Sequence, residues 1–182
     1  TEYLLKVRPD LDRETIEAGF LHSDPDAEYA ATFTIDLGAV EPMVATPGDP
    51  RNGIPLRALE ERVEIDIAYG GSCTGGKMTD MDLYASVLGP AVERGQRVAE
   101  GVEAFIQFGS QKIKEYAVQQ GYVGIFQKAG VQLIDPSCGA CINAGPGSSD
   151  SKERVTVSAI NRNFPGRSGP GEVFLASPLV VA

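Results

Sequence analysis

The sequence predicts an α/β domain built on a mainly parallel sheet. Three observations predict it. Between residues 62 and 134 short apolar runs alternate with amphipathic stretches in the order strand, helix, strand, helix, strand, which is the rhythm of βαβ units. Glycine is abundant, 21 residues among 182, as many tight turns and close backbone approaches require. Cys73, Ser110, Cys138 and Arg162 each fall just after a predicted strand, so a parallel sheet would carry all four to its carboxyl edge, where such sheets bind ligands.

Residues 1–60 are less regular and read as an N-terminal arm or linker region. Residues 12–20 fit a short helix, and 32–36 alternate as a strand does. Residues 42–55 hold four prolines, two glycines and an Asn-Gly pair, which predicts a long loop. The domain proper, 61–182, opens with a strand over 63–69 that runs into Gly70-Gly71-Ser72-Cys73-Thr74-Gly75-Gly76. Thr79 with Asp82 three residues on resembles a capping box and predicts a helix to about residue 88. A second strand spans 102–108. Gly109-Ser110 opens a helix that Gly121 closes, and a shorter helix covers 123–128. Residues 131–134 form a third strand ending in Asp135-Pro136-Ser137-Cys138. Residues 154–158 form a fourth, running into Asn161-Arg162, and 173–176 a fifth. The chain begins at Thr1 without an initiator Met and stops at Ser177-Pro178-Leu179-Val180-Val181-Ala182, the opening of an apolar helix. A piece of a longer polypeptide with a truncated C-terminal helix is expected.

The net charge of −9 disfavours nucleic acid as a partner, since phosphate binding needs a basic face. No apolar run is long enough to span a membrane. Three cysteines fit a disulfide scaffold poorly and a reducing, cytoplasmic setting well, where clustered thiols bind metal or do chemistry. Cys138-Gly139-Ala140-Cys141 serves zinc, iron–sulfur and redox sites alike. Glycine and small neighbours let backbone N–H groups approach a bulky anionic ligand, and a site of three thiolates leaves one metal position open. Three other readings stand beside this: cysteine as a small buried hydrophobe, zinc completed by the sole histidine, His22, and a thioredoxin-like pair that leaves Cys73 unexplained. Asn161-Arg162-Asn163-Phe164-Pro165-Gly166-Arg167 sets two guanidinium groups around a Pro-Gly turn, a pattern suited to clamping carboxylates. Gly145-Pro146-Gly147-Ser148-Ser149 lacks the Gly-Lys ending of a phosphate loop, and Ser72 and Thr74 have no histidine to activate them.

Taken in order, Gly71-Ser72-Cys73-Thr74, Cys138-Gly139-Ala140-Cys141, the run from Asn161 to Arg167 and Leu175-Ala176-Ser177-Pro178 resemble the signatures of the aconitase and isopropylmalate dehydratase family. Ile35-Asp36-Leu37, Glu41-Pro42 and Phe108-Gly109-Ser110 add to the resemblance. The cysteine–glycine detail and the Ala-Ser-Pro ending lean toward the dehydratase large-subunit branch. The resemblance implies a three-layer α/β/α domain, like the family's third, and a [4Fe–4S] cluster on Cys73, Cys138 and Cys141. It implies substrate contacts from Arg162 and Arg167, with Asn161 beside them. The implied reaction is dehydration and rehydration of a hydroxy di- or tricarboxylic acid. The catalytic base and acid are expected on domains outside this chain, so the remaining domains or a small subunit are the implied partners and this piece alone is expected to be inactive. Two departures stand out: Gly75 where the family usually has Asn, and Asn143 where Gly is common. The rival readings are a non-catalytic regulatory module holding a cluster or zinc, and an iron–sulfur hydro-lyase of another kind.

Overall fold

The computed structural model describes residues Thr1–Ala182, in two compact units, Thr1–Ala39 and Val40–Ala182. The first unit holds helices α1 (Glu2–Val7) and α2 (Arg13–Ala18). Asp12 caps α2 by accepting the Thr15 N–H at 2.7 Å, as a short acceptor at a helix start does. Arg13 pairs with Glu2 and Glu17 and so ties the two helices together. Residues 32–36, expected as a strand, are irregular and lead into the 3-10 turn Leu37–Ala39. An alternating run stays a strand only where a neighbour pairs with it.

The second unit is a seven-stranded sheet. Its strands are β1 (Met43–Ala45), β2 (Gly53–Pro55), β3 (Ile67–Gly71), β4 (Glu103–Gln107), β5 (Gln132–Ile134), β6 (Val155–Ser158) and β7 (Glu172–Ala176), in the order β2-β1-β7-β6-β3-β4-β5. Strands β7, β6, β3, β4 and β5 are parallel. The hairpin β1–β2 joins antiparallel at β7. That hairpin lies where the sequence predicts a loop. Its strands are three residues long, too short for alternation to show, and Pro55 sits on the outermost strand, where a missing N–H breaks no ladder bond.

Helices α3 (Met78–Glu93), α4 (Gln111–Gln119), α5 (Tyr122–Ala129) and α6 (Pro178–Val181) complete the unit. Strand side chains alternate between faces. Ala104 and Ile106 pack under Met81, Tyr84, Phe126 and other residues of α3–α5, while Ile67, Tyr69 and Phe105 point to the opposite face, against Ala140 and Cys141. Helices therefore cover one face, and the segment after β5, with its 3-10 turn Gly139–Ile142, covers the other. Helix α3 starts one residue before Thr79: Lys77 is its cap residue, and the Asp80 carboxylate accepts the Lys77 N–H at 2.9 Å. It also runs on through Pro90 to Glu93, held by Val92 packing on the core. No helix is long and apolar enough to cross a membrane.

The chain winds outward from β3 through β4 to β5, then returns to the other side of β3 with β6 and β7. The winding reverses between β3 and β6. Ligands of open α/β sheets bind at such a reversal, beyond the carboxyl ends of the two strands.

Candidate functional site

Two turns that carry cysteines and one loop that carries arginines meet this edge. The first follows β3. A Cβ on Gly70 would stand 2.9 Å from the Tyr84 ring, and one on Gly71, at φ 84°, would fall 1.9 Å from the Gln107 carbonyl oxygen. Only glycine brings the backbone this close. The Tyr84 hydroxyl accepts the Gly71 N–H at 2.8 Å and donates to the Gly75 carbonyl at 3.4 Å, clamping both ends of the turn. Burial pushes the pKa of Tyr84 well above the ordinary phenol value, so it stays a neutral donor. Ser72 is buried and has φ 130°, a conformation that costs a non-glycine residue about 1–3 kcal/mol. Its Oγ accepts from the Thr74 and Gly75 N–H groups at 3.2 and 3.0 Å. Cys73, between these contacts, is exposed.

The second turn follows β5. Cys138 is exposed at the head of the 3-10 turn; Cys141, whose N–H donates to the Cys138 carbonyl at 3.1 Å, is only 7 % exposed and packs with Ile67, Tyr69 and Phe105. Cys141 thus sits as a small hydrophobe would, whereas Cys73 and Cys138 do not. Asn143, at φ 56°, ends the turn in the left-handed conformation. Asn tolerates that conformation better than most residues, which accounts for it where glycine is common. Between β3 and β5 lies Gln107, fully buried at the end of β4. Its Oε1 accepts from the Tyr69 hydroxyl at 2.9 Å, and its Nε2 donates to the Ser137 carbonyl and Oγ, each at 2.8 Å. Burial raises Tyr69 to about 12, the facing Ala140 N–H working against the rise.

The third segment follows β6. The Tyr69 carbonyl accepts both the Ala159 N–H, at 3.0 Å, and the Ser158 hydroxyl, at 2.9 Å, so the exit of β6 is pinned to β3. The cysteine turn rests on it: a Cβ on Gly75 would stand 2.4 Å from the Ala159 oxygen. Asn161 and Arg162 are exposed immediately beyond. Phe164-Pro165-Gly166-Arg167 forms a tight turn, with Gly166 at φ 76° and the Arg167 N–H donating to the Phe164 carbonyl at 3.1 Å, as a Pro-Gly centre favours. Arg51, Arg57 and Arg154 are paired with carboxylates, but Arg162 and Arg167 are in no ion pair. The Arg167 Nε is buried without a hydrogen-bond partner. Asn163, the residue of this motif that sequence reading leaves without a role, is 2 % exposed and structural: its Nδ2 donates to the Thr46 and Val173 carbonyls at 2.8 and 2.9 Å.

Topology therefore brings Cys73, Ser110, Cys138 and Arg162 to one edge as the strand order predicts. No three His, Cys, Asp or Glu side chains stand close enough to share one ion. A zinc site of four donors on one ion draws no support from this arrangement. A cavity of about 460 Å³ opens on the helix-covered face, lined by Leu88, Val98, Val131, Val157 and Val181 among others. It contains none of the cysteines and neither Arg162 nor Arg167, so it stands apart from this edge. Sequence reading misses Tyr69, Tyr84 and Gln107. The signal for Gln107 is a primary amide closing the apolar run Ala104-Phe105-Ile106, since a buried polar group is kept only where it is hydrogen-bonded.

The sequence pattern of the aconitase family (aconitate hydratase) matches residues 58–182. Among curated proteins, the chain is similar to the 3-isopropylmalate dehydratase large subunit of Campylobacter hominis, 40 % identical over 169 residues that cover 91 % of this chain and 39 % of that protein. It is similar to the protein of the same name from Mycolicibacterium smegmatis, 39 % identical over 88 % of this chain and 37 % of the relative. The same holds for that of Clostridioides difficile, 35 % identical over 92 % of this chain and 39 % of the relative. The chain spans about two fifths of the length of these relatives. The matched stretch contains the whole parallel sheet, all three cysteines and both free arginines of its carboxyl edge, and on that ground the chain belongs to the aconitase family.

Proposed function

We propose that this chain is the cluster-bearing part of an aconitase-type hydro-lyase, with Cys73, Cys138 and Cys141 holding a [4Fe–4S] cluster and Arg162 and Arg167, beside Asn161, holding a hydroxy polycarboxylate of the isopropylmalate or citrate type. The observation that carries the reading is the meeting of the Cys73 turn with the β6 exit at the point where the sheet's winding reverses. The residues fit the group. The three cysteines are free of disulfides, and thiolates are the donors such clusters take. Cys73, Cys138 and Cys141 would be the cluster's thiolate donors.

When bound, a cluster with one iron free of cysteine supplies a Lewis acid that makes hydroxide a better leaving group. This chain's own residues do the binding and orienting. The Arg162 and Arg167 guanidinium groups, free of internal carboxylates, neutralise and align those of the substrate through forked hydrogen bonds. The acid and base that move protons are assigned to residues outside residues 1–182, on further domains or on a small subunit. The large-subunit names of the relatives support a partner of that kind.

Anaerobic reconstitution with iron and sulfide tests the cluster. The expected result is equal iron and sulfide per chain with the visible absorption of a cubane cluster, lost in Cys138→Ala; uptake of zinc alone, or a cluster that survives Cys138→Ala, overturns it. For the clamp, Arg167→Lys in the assembled enzyme is expected to weaken binding of its hydroxy di- or tricarboxylate by about 1–3 kcal/mol, the range of a charged hydrogen bond. Calorimetry that finds unchanged affinity removes Arg167 from the clamp.

A further inference from the structure

We infer that Gln107 is a positioning residue that holds the Cys73 and Cys138 turns in fixed register, so that two exposed thiols on different strands' exits present one preset spacing. The inference deepens the cluster assignment and rests on it for the ligand's identity. Three strands run side by side here: β3 leads to Cys73, β5 leads to Cys138, and β4 lies between them. Gln107 closes β4 and bonds to both neighbours. Its carbonyl accepts the N–H of Ser72, the residue before Cys73, at 3.3 Å. Its side-chain Nε2 donates to both oxygens of Ser137, the residue before Cys138, at 2.8 Å each. Its Oε1 is held by the Tyr69 hydroxyl at 2.9 Å, which fixes the amide's orientation. Both turns also press on it: a Cβ on Gly71 would strike its carbonyl at 1.9 Å, and one on Gly139, between the two cysteines of the second turn, would stand 3.2 Å from its Nε2.

A buried amide at the end of a strand is costly unless its bonds are made; here every one is made, and they reach the two cysteine turns. A purely structural amide would add stability alone. A positioning amide adds a defined distance between Cys73 and Cys138 as well, and that distance can be measured with no cluster present. Nitroxide labels on these two exposed thiols, in the full chain with Cys141→Ala, give it by pulsed dipolar EPR. The expected result is one narrow distance distribution, lost in Gln107→Leu and equally in Gln107→Glu measured at alkaline pH, where the ionised carboxylate keeps an acceptor for Tyr69 but has no donor for the Ser137 carbonyl. Asp82→Ala, which loosens the helical layer without touching either turn, is expected to lower the melting temperature and leave the distribution narrow. After reconstitution, the Gln107→Leu cluster is expected to be lost in air about tenfold faster than wild type, the scale of one or two hydrogen bonds. A wild-type distribution that is already broad, a narrow one in Gln107→Leu and Gln107→Glu, or equal broadening in Asp82→Ala overturns the inference. A chain that shows the narrow distribution and its loss in Gln107→Leu, yet takes up no cluster, overturns the cluster assignment and leaves the positioning role standing.

Discussion

At the scale of the residue, the site is made by the absence of side chains as much as by their presence. Gly75 shows this. The resemblance leads one to expect Asn at this place, and here the Cβ of any side chain would lie 2.4 Å from the Ala159 carbonyl oxygen. The cysteine turn and the β6 exit are closed on each other, so the departure is matched by backbone packing. Gly75→Asn is therefore expected to destabilise the chain by about 1–3 kcal/mol through overpacking, read as a lower denaturant midpoint at unchanged slope. An unchanged midpoint would mean that the turn has room to open. Tyr69 supplies a second prediction. It is 1 % exposed, and burial raises its hydroxyl from 10.0 to about 12. The folded state favours the neutral phenol, so this contribution is complete below pH 10 and fades as pH climbs from 10 toward 12. The loss amounts to about 2–3 kcal/mol at the top of that window. Unfolding midpoints measured across it are expected to fall less steeply in Tyr69→Phe than in wild type, although Tyr84 contributes in the same sense in both.

At the scale of the element, the parallel strands and the helices of the cover were legible in the sequence because each is long or apolar enough to carry its own period. Residues 102–108, 110–120 and 123–128 land within a residue or two of β4, α4 and α5. The hairpin at residues 43–55 was not, because its pairing comes from β7, more than a hundred residues along the chain. The α3 start was displaced because Asp80, rather than Thr79 with Asp82, meets the backbone. Asp82 has a different task, invisible to local pattern. Its Oδ1 accepts from the Tyr116 hydroxyl on α4 at 2.7 Å and from the Tyr122 hydroxyl on α5 at 2.9 Å, joining three helices at one atom. The carboxylate also holds the Tyr116 hydroxyl up at about 12. Asp82→Ala leaves two half-buried hydroxyls without their acceptor, and is expected to cost about 1–3 kcal/mol, seen in thermal or urea unfolding. Of the candidate site, the arrival of Cys73, Cys138 and Arg162 at one sheet edge was legible because each follows a strand of the βαβ pattern. Gln107, Tyr69 and Tyr84 were not, since an amide and two phenols declare nothing until the strands are placed side by side.

At the scale of the whole second unit, the arginine loop and the antiparallel edge are one mechanical piece. The clamp motif sets Asn163 between its two arginines, and that side chain faces inward: Nδ2 bridges the Thr46 carbonyl beyond β1 and the Val173 carbonyl on β7, while the Asn163 carbonyl accepts the Gly48 N–H at 3.3 Å. A chain segment proposed as a substrate clamp gains its fixed geometry from the antiparallel edge. The helical cover, by contrast, is anchored through α3, α4 and α5 and shares no bond with Asn163. Replacing Asn163 with Ala withdraws both donors from one buried and one part-buried carbonyl, a loss of about 2–4 kcal/mol at one to a few per bond. Local opening follows the contacts that hold a segment, so amide hydrogen exchange in Asn163→Ala is expected to quicken together at residues 43–55 and 162–168 and to stay slow at 111–129. Acceleration confined to 162–168 would show that the hairpin is held by its β7 pairing alone, and would separate the clamp from the edge it leans on.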